Sequence, residues 1–242
     1  MPTLEDLARE AGVLGLALRG AFHAGPQDEV PGSPDGAPVQ TVVLFGFVGG
    51  AQWPVFAASP EYADGRPDPL DRWAQRVIGG MGAPYDAIEW YPSEPPWRPF
   101  QRWGMRAEAV HPSPLGLLIH PEFGLWHAYR GALGFRARLS VPAVDRRISP
   151  CETCAGRPCL SACPVGALRA GAYERSTCVA HVASDAGRDC LAQSCRARRS
   201  CPVGEGYRYG GAQSAFHMSA FLARDAAGAP IAPEAHTAAA PK

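Results

Sequence analysis

Residues 151–166 read CETCAGRPCLSACPVG, and residues 190–204 read CLAQSCRARRSCPVG. The first run spaces its thiols as Cys151-x2-Cys154-x4-Cys159-x3-Cys163, followed by Pro164. The second is Cys190-x4-Cys195-x5-Cys201, followed by Pro202, with Cys178 standing alone between the runs. Both close on the tetrapeptide Cys-Pro-Val-Gly, at 163–166 and 201–204, so the region is an internal pseudo-repeat. All 8 cysteines of the chain fall inside it and the first 150 residues have none. Generic core usage does not cluster thiols in this way; a cofactor site does.

The spacing suits a cubane. Thiols two to four residues apart on one loop wrap one side of it, with backbone N–H groups directed at the sulfides. The fourth thiolate must then come from the opposite side. In two-cluster ferredoxins the last cysteine of each run ligates the other cluster. The expected metal ligands are Cys151, Cys154, Cys159 and Cys201 for cluster I, and Cys163, Cys178, Cys190 and Cys195 for cluster II, each a [4Fe–4S] centre. Proline after the last thiol redirects the chain away from the cluster. A pair of zinc sites is the competing reading, a zinc-stabilised binding module, because zinc thiolate sites also use cysteines two to four residues apart. Disulfides are disfavoured in a chain without an export signal.

Outward from this region, the composition is that of a globular protein. Hydrophobic residues make up 46%, enough for a core, and the 23 basic and 23 acidic residues cancel. No global field therefore recruits nucleic acid or an anionic membrane. No apolar run approaches the ~20 residues of a bilayer span. Glu5, Asp6 and Glu10 stand where a signal peptide carries positive charge, so a cytoplasmic chain is expected. Within 144–210 arginine outnumbers acid, and Arg196, Arg198 and Arg199 lie inside the second ligand run. That group can offset cluster charge or dock an acidic redox partner protein or RNA; it also reads as an ordinary solvated face. Leu160, Val165, Leu168, Val179 and Val203 are candidates for drying the clusters.

The fold class expected is α+β, with an N-terminal α/β domain over 1–143, a ferredoxin-like two-cluster domain over 144–210, a C-terminal helix over 211–225 and a disordered tail over 226–242. Residues 3–22 have a helical stripe capped by Thr3. Thr41–Val48 (TVVLFGFV) reads as a strand buried on both faces, and Ala83–Tyr91 as another strand. A helix over 69–78 starts after Asp68 as N-cap and stops at Gly79-Gly80. Pro92–Pro99 is irregular, Phe100–Val110 a short helix, and Leu115–Arg138 a set of short strands turning near Tyr129-Arg130-Gly131.

The order of parts resembles the epoxyqueuosine reductase family of cobalamin-dependent reductases. CETCAGRPCLSACPVGAL at 151–168 is similar to that family's first ligand run, Cys178 to its isolated fifth cysteine, and Cys190, Cys195 and Cys201-Pro202 to its last three. Gly116–Gly134 is similar in character to the Gly-aromatic stretch ahead of the clusters. The inner spacings here are longer, and Glu94 is the acid nearest in place to the family's catalytic aspartate. The resemblance implies electron delivery from the clusters to a cobalamin or another small-molecule cofactor or substrate held by the N-terminal domain. Without the resemblance, the cysteines imply one-electron transfer to a redox partner, an oxidoreductase role or a carrier.

In the N-terminal region, Gly46, Gly49 and Gly50 follow the apolar strand and can bring bare backbone to a phosphate or corrin side chain; they read equally as a plain turn. His111, His120 and His127 are candidate ligands or proton relays, or hydrogen-bonded packing residues. Trp90, Trp97, Trp103 and Trp126 can line a cavity or fill a core.

Overall fold

The computed structural model describes residues 1–226, so the tail expected over 226–242 lies, apart from its first residue, outside the described residues. In chain order the elements are α1 (Leu4–Val13), β1 (Ala17–His23), β2 (Thr41–Val48), α2 (Trp53–Ala57), α3 (Pro60–Ala63), α4 (Pro69–Gly82), β3 (Ile88–Trp90), α5 (Phe100–Ala107), β4 (His111–Pro112), β5 (Leu118–Ile119) and β6 (His127–Phe135). The cysteine region follows with α6 (Pro150–Thr153), β7 (Leu168–Arg169), β8 (Ala172–Tyr173), α7 (Arg175–Val182), α8 (Arg188–Gln193), α9 (Arg196–Arg199) and α10 (Gly211–Ala226). The chain forms two compact units. One is Met1–Ala109 with His127–Arg146; the other is Val110–Trp126 with the chain from Arg147 onward. The division is not a single cut near 143, because an excursion at 110–126 joins the cysteine-bearing unit. Among the described residues no helix is long and apolar enough to cross a membrane.

The first unit is built on a four-stranded sheet of order β1-β2-β6-β3. Every pairing in it is antiparallel, which corrects the expected α/β domain to α+β. The uninterrupted apolar run of β2 reports burial on both faces and says nothing about strand direction. On one face Val42 and Leu44 pack with Phe100 and Trp103 of α5. On the other, Phe47 meets Trp73 of α4 edge to face at 5.7 Å, and Phe56 of α2 meets the same ring at 5.6 Å. Helices on both sides of a central strand demand apolar side chains at every position, whatever the hydrogen-bonding pattern.

Four boundaries differ from expectation. The helix read over 3–22 ends at Val13 and gives way to β1. Thr3 does cap it, in a capping box with Asp6. Gly15, at φ +83°, turns the chain, and Leu18 belongs to a strand that happened to match the helical spacing. Helix α4 runs through Gly79 and Gly80 to Gly82, because Met81 is buried and Gly82 lies where a Cβ would meet Leu133 at 2.7 Å. Asp68 ahead of it is left-handed and makes no side-chain cap bond. The strand expected over Ala83–Tyr91 shortens to β3, after a 3-10 turn at Ala83–Tyr85.

The turn expected near Tyr129-Arg130-Gly131 is instead a bulge within the continuous strand β6. Gly46 pairs with Tyr129 and Phe45 with Gly131, leaving Arg130 as the extra residue. A second bulge lies on the other flank of the same strand. Leu18 pairs with Phe45 and Gly20 with Leu44, leaving Arg19 over. Bulges re-aim a side chain without ending the ladder. The antiparallel ladder thereby admits two arginines, one on each side of β2.

Candidate metal centre

The second unit is built of helices, turns and two two-stranded hairpins, β4–β5 and β7–β8. Its first ligand run starts at α6, where Ser149 Oγ accepts the Cys151 N–H at 3.3 Å. Arg157 (φ +35°) precedes a 3-10 turn, Pro158–Leu160, that carries Cys159. Cys163 is followed by a turn closing on Gly166, and the hairpin β7–β8 then leads to α7, which bears Cys178. Cys190 lies in α8, Cys195 caps the one-turn α9, and Cys201 follows it. The sequence repeat is also a conformational one: Gly166 and Gly204, the last residues of the two Cys-Pro-Val-Gly segments, are left-handed at φ +61° and +75°. Glycine is required there, and at Gly204 doubly so, because a Cβ would sit 2.3 Å from the Phe123 backbone.

All eight cysteines are free thiols; Cys190 and Cys201 are 5% and 7% exposed and the others half-buried. Their mutual influence falls into two sets. Burial first, then Cys201, raises the Cys151 thiol, with Cys159 and Cys154 adding to it. Burial, Cys201 and Cys154 likewise raise Cys159, and Cys201 is raised by burial and Cys154. In the other set burial raises Cys178, opposed by a hydrogen bond from Tyr173 and reinforced by Cys163 and Cys190. Cys195 is raised by burial and by Cys178 and Cys190. No thiol of one set acts on a thiol of the other in these five cases.

Backbone donors face the sulfurs. The N–H groups of Arg198 and Ala197 donate to Cys195, and that of Val203 to Cys201. Ile119 and Leu125 pack on Cys201, with Leu115, Cys151 and Val203 around them. Of the residues read from sequence as drying the clusters, Val203 takes that place, whereas Val165 is exposed. Ile119, Leu125 and Leu115 were not foreseen, because they come from the excursion at 110–126, more than 25 residues ahead of Cys151.

The donor set suits iron–sulfur clusters. It consists of thiols and backbone N–H groups. Among the described residues no group of three or more His, Cys, Asp or Glu is arranged to hold a metal ion.

The arginines of the second run divide. Asp189 takes both Arg196, at 2.6 Å, and Arg199. Arg198 lies between two rings, 4.4 Å from the centre of Trp126 and 4.5 Å from that of Tyr209, and donates twice to the Leu125 carbonyl, at 3.1 and 2.6 Å. Trp126 is 1% exposed and its indole N–H meets no acceptor among the described residues. Stacking on Arg198 and Tyr209, rather than a hydrogen bond, holds that ring.

The remaining candidates have definite partners or neighbours in the structure. Gly46 lies inside the ladder, where a Cβ would stand 2.0 Å from the Ala128 carbonyl oxygen; only Gly49 and Gly50 form the turn after β2. His111 Nε2 meets the Arg147 carbonyl at 2.9 Å. His120 Nδ1 accepts the N–H groups of Glu122 and Phe123, and its ring stacks on Phe123 at 4.0 Å. His127 is buried edge-on to Tyr129. Trp90 and Trp103 belong to the core of the first unit, and Trp97 is half-buried. Glu94 accepts from Gln75 at 2.5 Å.

One polar cluster in the first unit escaped the sequence. Arg19, 3% exposed, donates to the Phe47 carbonyl at 2.9 Å and to both oxygens of Glu108 at 2.8 and 3.0 Å. The Tyr129 hydroxyl donates to Glu108 at 2.6 Å. Gly104 leaves the space for that hydroxyl, since a Cβ would be 2.3 Å from it. Burial raises the Glu108 carboxyl, and Arg19 and then Tyr129 pull it back. Only the bulge at Arg19 makes the cluster, and no spacing rule announces a bulge.

No family model matches the chain, and no curated protein matches it. Solved structures do match in fold. Epoxyqueuosine reductase from Bacillus subtilis superposes with a TM-score of 0.52 at 14% identity, over 85% of this chain and 66% of that one. An epoxyqueuosine reductase crystallised with an epoxyqueuosine-modified tRNA-Tyr stem loop covers the same shares at 14% identity with a TM-score of 0.48. The match thus spans slightly under two thirds of the length of those proteins. At this identity the likeness is one of fold.

Proposed function

We propose that the chain is an iron–sulfur protein that carries two [4Fe–4S] clusters and passes single electrons. Cys151, Cys154, Cys159 and Cys201 would hold one, and Cys163, Cys178, Cys190 and Cys195 the other. The observation that carries this reading is the exchange between the runs: Cys201, last of the second run, acts on Cys151 and Cys159 of the first and is itself acted on by Cys154, while Cys163 acts on Cys178. A [4Fe–4S] cluster supplies a one-electron couple whose potential depends on charge, hydrogen bonds to sulfur and exposure. The chain's own contributions are definite. The N–H groups of Ala197, Arg198 and Val203 stabilise thiolate charge, and Tyr173 does so at Cys178. Ile119, Leu125 and Val203 keep water from Cys201.

The test is metal and sulfide analysis of protein isolated without oxygen. About eight irons and acid-labile sulfide per chain are expected. Colourless protein with two zinc ions and no sulfide would sink the reading in favour of a zinc-stabilised module.

A second reading, a reductase whose first unit binds cobalamin, draws support from the fold shared with epoxyqueuosine reductase from Bacillus subtilis. Of the residues offered for such a site, Gly46 is closed by β6, Glu94 accepts from Gln75, and Gly49 and Gly50 form the turn after β2. No step is therefore assigned to that group. Titration of the iron-loaded protein with cobalamin decides the point, a shift in the corrin visible bands favouring the reductase and an unchanged spectrum the carrier.

A further inference from the structure

Arg198 stands three residues after Cys195 and three before Cys201, one thiol from each set. Its backbone N–H donates to the Cys195 sulfur, and its carbonyl accepts the Cys201 N–H at 3.3 Å. Its side chain is fixed from three directions by the Trp126 ring, the Tyr209 ring and the Leu125 carbonyl. The two rings themselves meet edge to face at 5.2 Å. Asp189 neutralises Arg196 and Arg199, but among the described residues no acid pairs with Arg198. A residue needed only for solubility would not be clamped in this way, and one needed only for charge would not need two aromatic walls.

We infer that Arg198 is a positioning residue for the two clusters: its clamped guanidinium holds the α9 turn so that the backbone N–H reaches Cys195, and this sets the reduction potential of the centre containing that thiol. The inference rests on the cluster reading above. Reduction adds negative charge to a centre. A donated N–H stabilises that charge and raises the potential. Planarity matters because a flat guanidinium can sit in the corner formed by the two rings while giving two hydrogen bonds to one carbonyl.

The experiment uses full-length protein isolated without oxygen, with iron and sulfide analysis and a redox titration followed by electron paramagnetic resonance. Arg198→Met and Arg198→Lys should keep the wild-type iron and sulfide. In Arg198→Met, the centre that Cys178→Ser also disturbs should titrate lower by at least tenfold in its one-electron equilibrium, which is about 59 mV. Arg198→Lys should move the same centre in the same direction by less, and the other centre should move least. Tyr209→Leu, which removes one wall, should shift the same centre downward, and it decides the matter alone if either Arg198 variant loses its clusters. Wild-type potentials in Arg198→Met, or in Tyr209→Leu, overturn the inference. So does a Lys variant indistinguishable from wild type, since charge alone would then suffice. Wild-type protein without inorganic sulfide is a different failure, that of the cluster reading, and it takes this inference with it.

Discussion

The two units differ in what buries their side chains. In the sheet unit the least exposed residues are large and apolar: Trp73, Trp103, Phe45, Phe47, Phe56 and Phe135. Over 147–226 the buried apolar residues are mostly small, Ala167, Val182 and Ala197 with Tyr209, and two more are the thiols Cys190 and Cys201. Over that stretch alanines and sulfurs recover little hydrophobic free energy for the chain entropy they must offset, and the large buried residues of this unit, Ile119, Leu125 and Trp126, come from the excursion at 110–126. Small units of this kind usually depend on cross-links or metals. The sheet unit stands on its packing, and on the proposed reading the cysteine unit leans on its clusters.

The largest effect that can break this contrast is removal of one thiol from each set. Cys163→Ser and Cys201→Ser should each lower iron from about eight to about four per chain. They should abolish different resonance signals, with the Trp-rich core of the sheet unit retaining its near-ultraviolet circular dichroism. Loss of the same centre in both variants would show that the runs do not exchange their last thiols.

The converse change is Trp103→Ala. Its ring is fully buried, packs on Phe22, Trp90 and Phe100, and donates to the Asp28 carbonyl at 2.8 Å. The expected cost is about 3–5 kcal/mol by denaturant melting of the sheet unit. A loss below about 1 kcal/mol would mean that this core is not what supports the unit.

The smallest effect, and the sharpest, concerns two acid–arginine pairs within the sheet unit. Burial raises the Glu108 carboxyl above its usual 4.5. Its contribution is therefore complete below pH 4.5 and is lost as pH rises through the raised value. Glu61 behaves oppositely. A hydrogen bond from Arg76 takes it down to about 2, so its contribution is present above pH 4.5 and is lost as pH falls through about 2. Wild type should thus lose stability relative to Glu108→Gln as pH rises from 4.5, and relative to Glu61→Gln as pH falls below it. Parallel pH profiles for the two variants would contradict the assignment.

Much of the sheet unit was legible. Thr41–Val48 matches β2 residue for residue, because a strand buried on both faces leaves an unbroken apolar run. Thr3 with Asp6 announced the start of α1, since a capping box is a local hydrogen-bond exchange. Illegible were the end of α1, where Leu14 and Leu18 keep helical spacing across a strand boundary, and the continuity of β6 through Arg130. Periodicity cannot separate an extra residue in a ladder from a turn. The antiparallel direction of the sheet was also hidden, because strand direction resides in partner choice and not in composition.

Read alone, the amino-acid order determined where the thiols gather and how they repeat, since both runs are short loops closing on the same Cys-Pro-Val-Gly segment. It also determined where the central strand and the first helix begin. Only the tertiary structure decided that Arg19 would reach Glu108, that Ile119 and Leu125 would cover Cys201, and that Arg198 would lie between Trp126 and Tyr209. Arg19 and Glu108, Cys201 and the two residues that cover it, and Arg198 and Trp126 are each more than 70 positions apart in the chain. Such pairings are selected by burial and packing over the whole chain, and no local rule contains them.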